Sequence, residues 1–330
     1  MSDPEFVAVL ERMGLVARGA PLRLEPLTGG VASDILLVET PERRFCVKRA
    51  LARLKVAAVW EAPVSRNAAE AAWLRRAGGW VPGAAPAILG EDRASGTFAM
   101  DYLPAETHPV WKAQMLAGTV DAAFAAAVGR SLGRIHARSA ADPSVPAAFA
   151  NDDTFEAIRI EPYLRATARA HPDLAAPLEA LAGRTLATKR ALVHGDVSPK
   201  NILCGPAGPV FLDAECAWYG DPAFDIAFCL NHLLLKGARE GIDRRPHAAA
   251  FSAFLAAYLP LVDWEEPEAL EARAAALLPA LFLARIDGKS PVEYLQADRE
   301  KDRVRAFARP LVAEPPARLE PISHLWRDHS

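Results

Sequence analysis

Cysteine is scarce in this chain, with four residues in 330: Cys46, Cys204, Cys216 and Cys229. No two form a Cys-x-x-Cys pair, and their spacing fits no zinc pattern. That argues against a disulfide framework or a zinc module, and for buried free thiols in a reducing compartment. Long apolar runs are also missing. A membrane-spanning helix needs roughly 18 or more consecutive apolar residues, and stretches such as Val120–Val128 are broken by Asp or Gly. No basic stripe of any length stands out, and the net charge is −3. A nucleic-acid partner is therefore not expected. The opening residues Met1–Phe6 carry Asp3 and Glu5 and no basic cluster, so no signal peptide is expected and a cytoplasmic location is.

What is present is ordinary for a folded chain: 51% hydrophobic and 24% charged residues. The length suits two domains or one two-lobed unit. Alanine makes up about a fifth of the sequence, which favours helix. The first hundred residues read as short strands: Leu22–Leu27, Ile35–Glu39, Arg44–Arg49, Ile88–Leu89 and Thr97–Leu103, with one helix over Ser65–Ala77. Pro104–Pro109 reads as a linker. Beyond it lie helical patterns over Thr119–Ser139, Thr154–Ala170, His171–Leu181, Thr185–Arg190, Pro222–Lys236, Pro246–Leu259 and Glu266–Arg285. A hairpin interrupts them, built from Ala191–Val193, Asn201–Cys204 and Val210–Asp213. The expectation is an α+β chain: a small β-rich lobe over residues 1–104, and a larger helical lobe with an embedded hairpin over 105–330. A ligand is expected in the cleft between them.

The chemistry concentrates on Val193-His194-Gly195-Asp196-Val197-Ser198-Pro199-Lys200-Asn201. Asp196 and Asn201 lie on one tight loop, and Asp213 ends the strand that follows. A carboxylate, an amide oxygen and a second carboxylate form the hard-oxygen set that Mg²⁺ takes beside phosphate. The same trio matches a phosphoryl-transfer template, with one Asp accepting a hydroxyl proton and an Asn and an Asp holding metal.

His194-Gly-Asp196-(x4)-Asn201, then Leu212-Asp213-Ala-Glu215, then Tyr219-Gly220-Asp221-Pro222-Ala-Phe-Asp225, resembles the aminoglycoside phosphotransferase / choline kinase-like family. The resemblance implies a two-lobed protein-kinase-like fold and ATP and Mg²⁺ as cofactors. It implies Asp196 as the catalytic residue, and Asn201 and Asp213 as metal ligands. Lys48 is then the strand lysine that meets the nucleotide phosphates, with Glu70 as its helix partner. Thr28–Asp34 becomes the phosphate-covering turn, with Ser33 on it. Met100 to Leu103 become the hinge backbone beside the adenine. His194, Glu215 and Asp225 take supporting roles around the loop, and Trp218 and Arg285 stand on the acceptor side. A finer resemblance, to the methylthioribose kinase branch, rests on Lys48-Arg-Ala-Leu51, Leu54-Lys55-Val56, Trp60, Arg66, Glu70, Pro109-Val-Trp111-Lys112, Leu116-Ala-Gly118 and Asp213-Ala-Glu215. It thins after residue 236.

The expected function is phosphoryl transfer from ATP to a hydroxyl of a small molecule, with a methylthioribose-like sugar as acceptor. The alternatives are an aminoglycoside, choline or homoserine. A reading of another class is an ATP-binding pseudokinase scaffold. A protein kinase is disfavoured, because the sequence has neither Asp-Phe-Gly nor Ala-Pro-Glu.

Overall fold

The computed structural model describes residues 4–27, 33–51 and 66–329. Residues 28–32 of the expected phosphate-covering turn lie outside these, as does the segment Leu54–Trp60.

Five strands form one antiparallel sheet: β1 (Arg23–Pro26), β2 (Ser33–Glu39), β3 (Arg44–Ala50), β4 (Ile88–Asp92) and β5 (Thr97–Asp101), in the order β1-β2-β3-β5-β4. Alternation along β3 sorts the side chains, because successive residues of a strand point to opposite faces. Phe45 and Val47 join Val38 and Ala99 against Phe6 and Leu10 of a helix over Pro4–Arg12. Cys46 takes the other face, where it packs with Trp73 and Leu74 of the helix Arg66–Trp80. Lys48 shares that inner face by its even spacing from Cys46, and this directs its ammonium inward.

After Asp101 the chain is mainly helical. The helix Ala223–Lys236 is buried along all 14 residues. A helix buried on every side suits a position at the centre of a helical layer. Small residues let its neighbours approach closely. In the helix Ala122–Ala140, a Cβ on Gly129 would lie 2.4 Å from the carbonyl oxygen of Phe254, on the helix Arg245–Tyr258.

Four short strands carry the loop of interest. β6 (Ala191–Val193) pairs with β9 (Trp218–Gly220), and β7 (Ile202–Gly205) pairs with β8 (Gly208–Phe211). The sheet and helical parts are stitched by backbone: Phe211 N–H donates to the Ala84 carbonyl at 2.8 Å, and Cys204 N–H to that of Pro109 at 2.8 Å. One apolar cluster runs from Trp73 and Phe98 through to Phe211 and Trp218.

Several elements differ from the sequence expectation. The helix Pro4–Arg12, strand β9, and the helices Asp298–Ala313 and Glu320–Asp328 were not anticipated. β9 is three residues long and exists only through its pairing with β6, so no local pattern announces it. The helical pattern expected over Thr185–Arg190 ends at Ala187, because Arg190 N–H already bonds to Gly220 at the start of the β6–β9 pair. Pro104–Pro109 is tied to the β7–β8 hairpin through its Pro109 carbonyl.

Gly129→Ala tests the close helix contact. A helix-interior Ala gains up to about 1 kcal/mol in propensity, but overpacking against a carbonyl costs roughly 1–3 kcal/mol. A net loss in urea unfolding is expected, and a more stable variant would contradict the packing described.

Candidate active site

β6 runs directly into His194-Gly195-Asp196, and the backbone there is held by one carboxylate. Asp225, on the first turn of the central helix, accepts the N–H of His194 at 2.7 Å and of Gly195 at 2.8 Å. His136 Nε2 lies 3.3 Å from the same carboxylate, and its Nδ1 lies 2.6 Å from the Tyr258 hydroxyl. Buried backbone donors need such partners. Gly195 is required at its place: its φ is +80°, and a Cβ there would lie 2.6 Å from Cys216 Cβ. His194 closes the loop internally. Asp196 N–H donates to His194 Nδ1 at 3.1 Å, so the proton sits on Nε2, which faces the Leu212 carbonyl at 3.1 Å. Burial lowers the His194 pKa, so the ring stays neutral. It braces the loop between Asp196 and Leu212.

Asp196 is buried, with one oxygen engaged and one without a hydrogen-bond partner among the described residues. Its Oδ2 lies 2.9 Å from Arg159 Nη2 and 3.3 Å from Lys200 Nζ. Burial opposes its charge, but Lys200 and Arg159 outweigh that and hold its pKa well below the usual carboxylate range. The carboxylate therefore stays ionised near neutral pH, with Oδ1 free to accept a hydrogen bond. Arg159 reaches it from a stretch of wider, π-type helical turns over Glu156–Arg165, which contains Pro162. The same guanidinium also donates to the carbonyls of Ile158, at 2.6 Å, and Gly195.

On the other side of the loop, Lys48 Nζ sits 2.7 Å from Glu70 and also bonds to Asp213. Burial disfavours the ammonium, but Asp213, Glu70 and Glu215 overcome it and hold its pKa above the ordinary lysine value. Glu215 is ion-paired with Arg66 at 3.0 Å. Trp73 packs edge-on against the His194 ring, with centroids 4.7 Å apart. Arg66, Glu70 and Trp73 follow i, i+4, i+7 spacing on one helix face. That single face therefore reaches Glu215, Lys48 and His194. Asp213 is the one non-glycine described residue with positive φ, at +65°. An Asp tolerates that region better than most residues, and such outliers cluster at functional sites.

Asn201 Nδ2 donates to the Asp196 carbonyl at 3.2 Å. The amide nitrogen is thus spent on the protein, which leaves its oxygen as a donor for a cation. With the Asp213 carboxylate it makes a two-oxygen set, suited to a hard ion that takes its other ligands from water and phosphate. Ser33 begins β2, and its buried Oγ has no hydrogen-bond partner among the described residues. Met100 lies on β5 opposite Cys46, and Leu103 follows that strand.

The two acceptor-side residues separate. Arg285 lines a cavity beside the loop, together with Ser198, Pro199 and Lys200. Trp218 does not. It is fully buried, stacked on Phe155 with centroids 4.1 Å apart, and its Nε1 donates to Asp152 at 3.0 Å. Its place in β9 turns the ring into the core, away from the cleft. The expectation that it faces an acceptor is corrected. Arg159, Lys200 and Lys236 were not singled out from sequence. Lys200 follows Asp196 by four positions and was within reach of a charge-spacing argument. Arg159 lies 37 residues before Asp196 (196 − 159 = 37) and carries no local signal. The thiols of Cys46 and Cys204 are pushed up to about 11 by burial, so they stay protonated near neutral pH.

Asp225→Asn leaves one of two buried loop amides facing an N–H₂ group instead of an acceptor. The expected cost is roughly 1–3 kcal/mol, read by urea unfolding. Amide exchange at His194 and Gly195 should accelerate while the β3 amides stay protected. Unchanged exchange at both loop amides would refute the role given to Asp225.

The sequence matches the phosphotransferase enzyme family over residues 23–270. No curated protein sequence matches it closely enough to report. Among solved structures, an amicoumacin kinase superposes with a TM-score of 0.63 at 14% identity, covering 98% of this chain and 100% of that one. A choline/ethanolamine kinase family protein from Mesorhizobium loti gives 0.54 at 16% identity, over 98% and 99% of the two chains. A choline kinase from Cryptosporidium parvum gives 0.57 at 11% identity, over 94% and 97%. At these identities the likeness is one of fold, the two-lobed α+β kinase-like architecture. With the family match spanning most of its length, this chain belongs to the phosphotransferase enzyme family.

Proposed function

We propose that this protein is an ATP- and Mg²⁺-dependent kinase that phosphorylates a hydroxyl group of a small molecule. Residues 1–104 form its nucleotide-binding lobe, and residues 105–330 carry the catalytic loop and acceptor site. The observation that supports this best is the convergence at the hairpin ends. The Lys48–Glu70 pair meets Asp213 there, and Asn201 is bonded to the backbone of Asp196. The amicoumacin kinase of similar fold was solved with AMP-PNP and Ca²⁺, which is consistent with nucleotide and divalent-ion use here.

In this reading Lys48 neutralises nucleotide phosphate charge, and Glu70 keeps its ammonium in place. Asn201 and Asp213 would hold Mg²⁺, which supplies charge neutralisation on the transferring phosphoryl group. Ser33 Oγ and the backbone from Met100 to Leu103 face the nucleotide. Asp196 uses its unpartnered oxygen to orient the acceptor hydroxyl. Asp196 serves alignment, and it takes the proton late, as the oxygen–phosphorus bond forms and the hydroxyl proton becomes acidic. Catalysis is then mostly positioning and electrostatics. Glu215, His194 and Asp225 keep this frame in shape. The methylthioribose-like acceptor rests on sequence resemblance alone and enters the tests below as a neutral candidate.

Asp196→Asn should lower turnover by roughly 10²–10⁴-fold while AMP-PNP still binds in the presence of Mg²⁺. Asp213→Asn should remove the Mg²⁺ dependence of that binding. A coupled ADP assay and nucleotide titration read both, and full turnover in the Asp196 variant would sink the proposal.

A further inference from the structure

Beside the loop lies a small cavity of about 30 Å³, whose charged lining is Lys112, Lys200, Lys236, Arg285 and the one carboxylate Glu293, with Ser198 and Tyr294 beside them. Its charge is unusual. Lys236 is almost fully buried at the end of the central helix, yet it bonds only to the His232 carbonyl at 3.2 Å and faces the Tyr294 ring at 5.2 Å. No ion pair to a described carboxylate holds it. Arg285 is also buried without a carboxylate partner. Its Nη1 donates to the Tyr163 hydroxyl at 3.1 Å and to Ser290 Oγ at 2.9 Å, while its Nε has no partner. The remaining charges balance. Lys112 pairs with Glu293, and Lys200 with Asp196. His232 is pressed well below its usual pKa by burial and by Lys236, and stays neutral.

Four cationic side chains, Lys112, Lys200, Lys236 and Arg285, thus line one cavity with a single carboxylate, Glu293, which is paired with Lys112. Buried charges are normally paired, because removing them from water costs far more than folding can spare. Burial, with Lys112 and Arg285, pulls the Lys236 pKa down to about 7, because Glu293 only partly offsets the neighbouring cations. Two more groups at the cavity wall are unpartnered: the Ser198 and Tyr294 hydroxyls. With Lys236 and Arg285 they make two cationic and two neutral hydrogen-bonding groups, the set that recognises a carboxylate or phosphate.

We propose that the acceptor is an anionic alcohol, whose carboxylate or phosphate seats between Lys236 and Arg285 while its hydroxyl reaches Asp196. This rests on the kinase reading for the place of the acceptor, but the anion site can be tested apart from it. A cationic acceptor such as choline or an aminoglycoside would meet like charge there. The transfer is balanced: the acceptor oxygen bonds to the γ-phosphorus of ATP, the β,γ-bridging bond breaks with ADP as leaving group, and the hydroxyl proton is released by way of Asp196.

The first experiment titrates inorganic phosphate, glycerate and glycerol 3-phosphate into the wild-type chain by calorimetry, with choline and methylthioribose as controls. The anions should bind and the controls should not, and glycerate against glycerol 3-phosphate separates the carboxylate from the phosphate form. Lys236→Met should weaken anion binding at least about tenfold yet raise the melting temperature, because an unpaired buried charge is replaced by an apolar side chain. A purely structural lysine would show the reverse. Arg285→Lys is the second variant, with the same loss of binding expected. The ADP assay then compares these compounds as acceptors. Absence of binding by every anion, or choline or methylthioribose turnover unaffected by Lys236→Met, overturns the proposal. Anion binding without any Mg²⁺–AMP-PNP binding overturns the kinase reading and leaves the anion site standing.

Discussion

A lysine ammonium buried between carboxylates from distant parts of the chain joins the sheet to the catalytic hairpin. Lys48 comes from β3, Glu70 from the helix behind it, and Asp213 from beyond β8. Such a charge is costly to bury alone and strongly destabilising if one partner is removed. The geometry around it is correspondingly constrained. The helix face that presents Glu70 also presents Arg66 to Glu215 and Trp73 to His194. Moving that helix would disturb three contacts at once, so the sheet around Lys48 and the loop around His194 are mechanically linked.

The loop itself is held by a different kind of interaction. Asp225 satisfies two backbone donors, and His136 and Tyr258 support Asp225 in turn. These partners lie in the core, where hydrogen bonds are strong and an unmade one is expensive. The result is a rigid backbone that carries a charged side chain. Asp196 is steadied by Arg159 and Lys200, and these cations continue into the Lys236 and Arg285 wall of the neighbouring cavity. Carboxylates dominate the side of the hairpin near Lys48, and unpaired cations dominate the side near Lys236. That polarity makes the two halves of the cleft suited to different ligands.

Much of this was readable in advance where chemistry and spacing coincide in the sequence. The Asp196, Asn201 and Asp213 pattern, the strand around Lys48 and the helix around Glu70 all announce themselves within a few residues, and the five-strand-then-helix order follows from local periodicity. The less legible parts have physical causes. β9 is stabilised only by β6. Trp218 was placed on the acceptor side, but the strand it occupies faces it into Phe155. Arg159 sits in a helix interrupted by π-type turns, and its contact with Asp196 spans the fold. Lys236 carries no local signal either, because nothing in its own segment shows that the whole helix is buried.

The sequence by itself determined the two-lobed α+β architecture and the family, because strand and helix periods are local and the motif residues Asp196, Asn201 and Asp213 lie on one short loop and its hairpin. The tertiary structure decided how those groups are charged and what they face. Whether a lysine is paired or left alone depends on which distant carboxylates the fold brings within about 4 Å, where Coulomb energies grow as the local dielectric falls. Lys48 and Lys236 are the same residue in the sequence. One is neutralised by carboxylates from two other elements, and the other is buried at the end of a helix, bonded to a carbonyl beside an aromatic ring and without an ion pair to a described carboxylate.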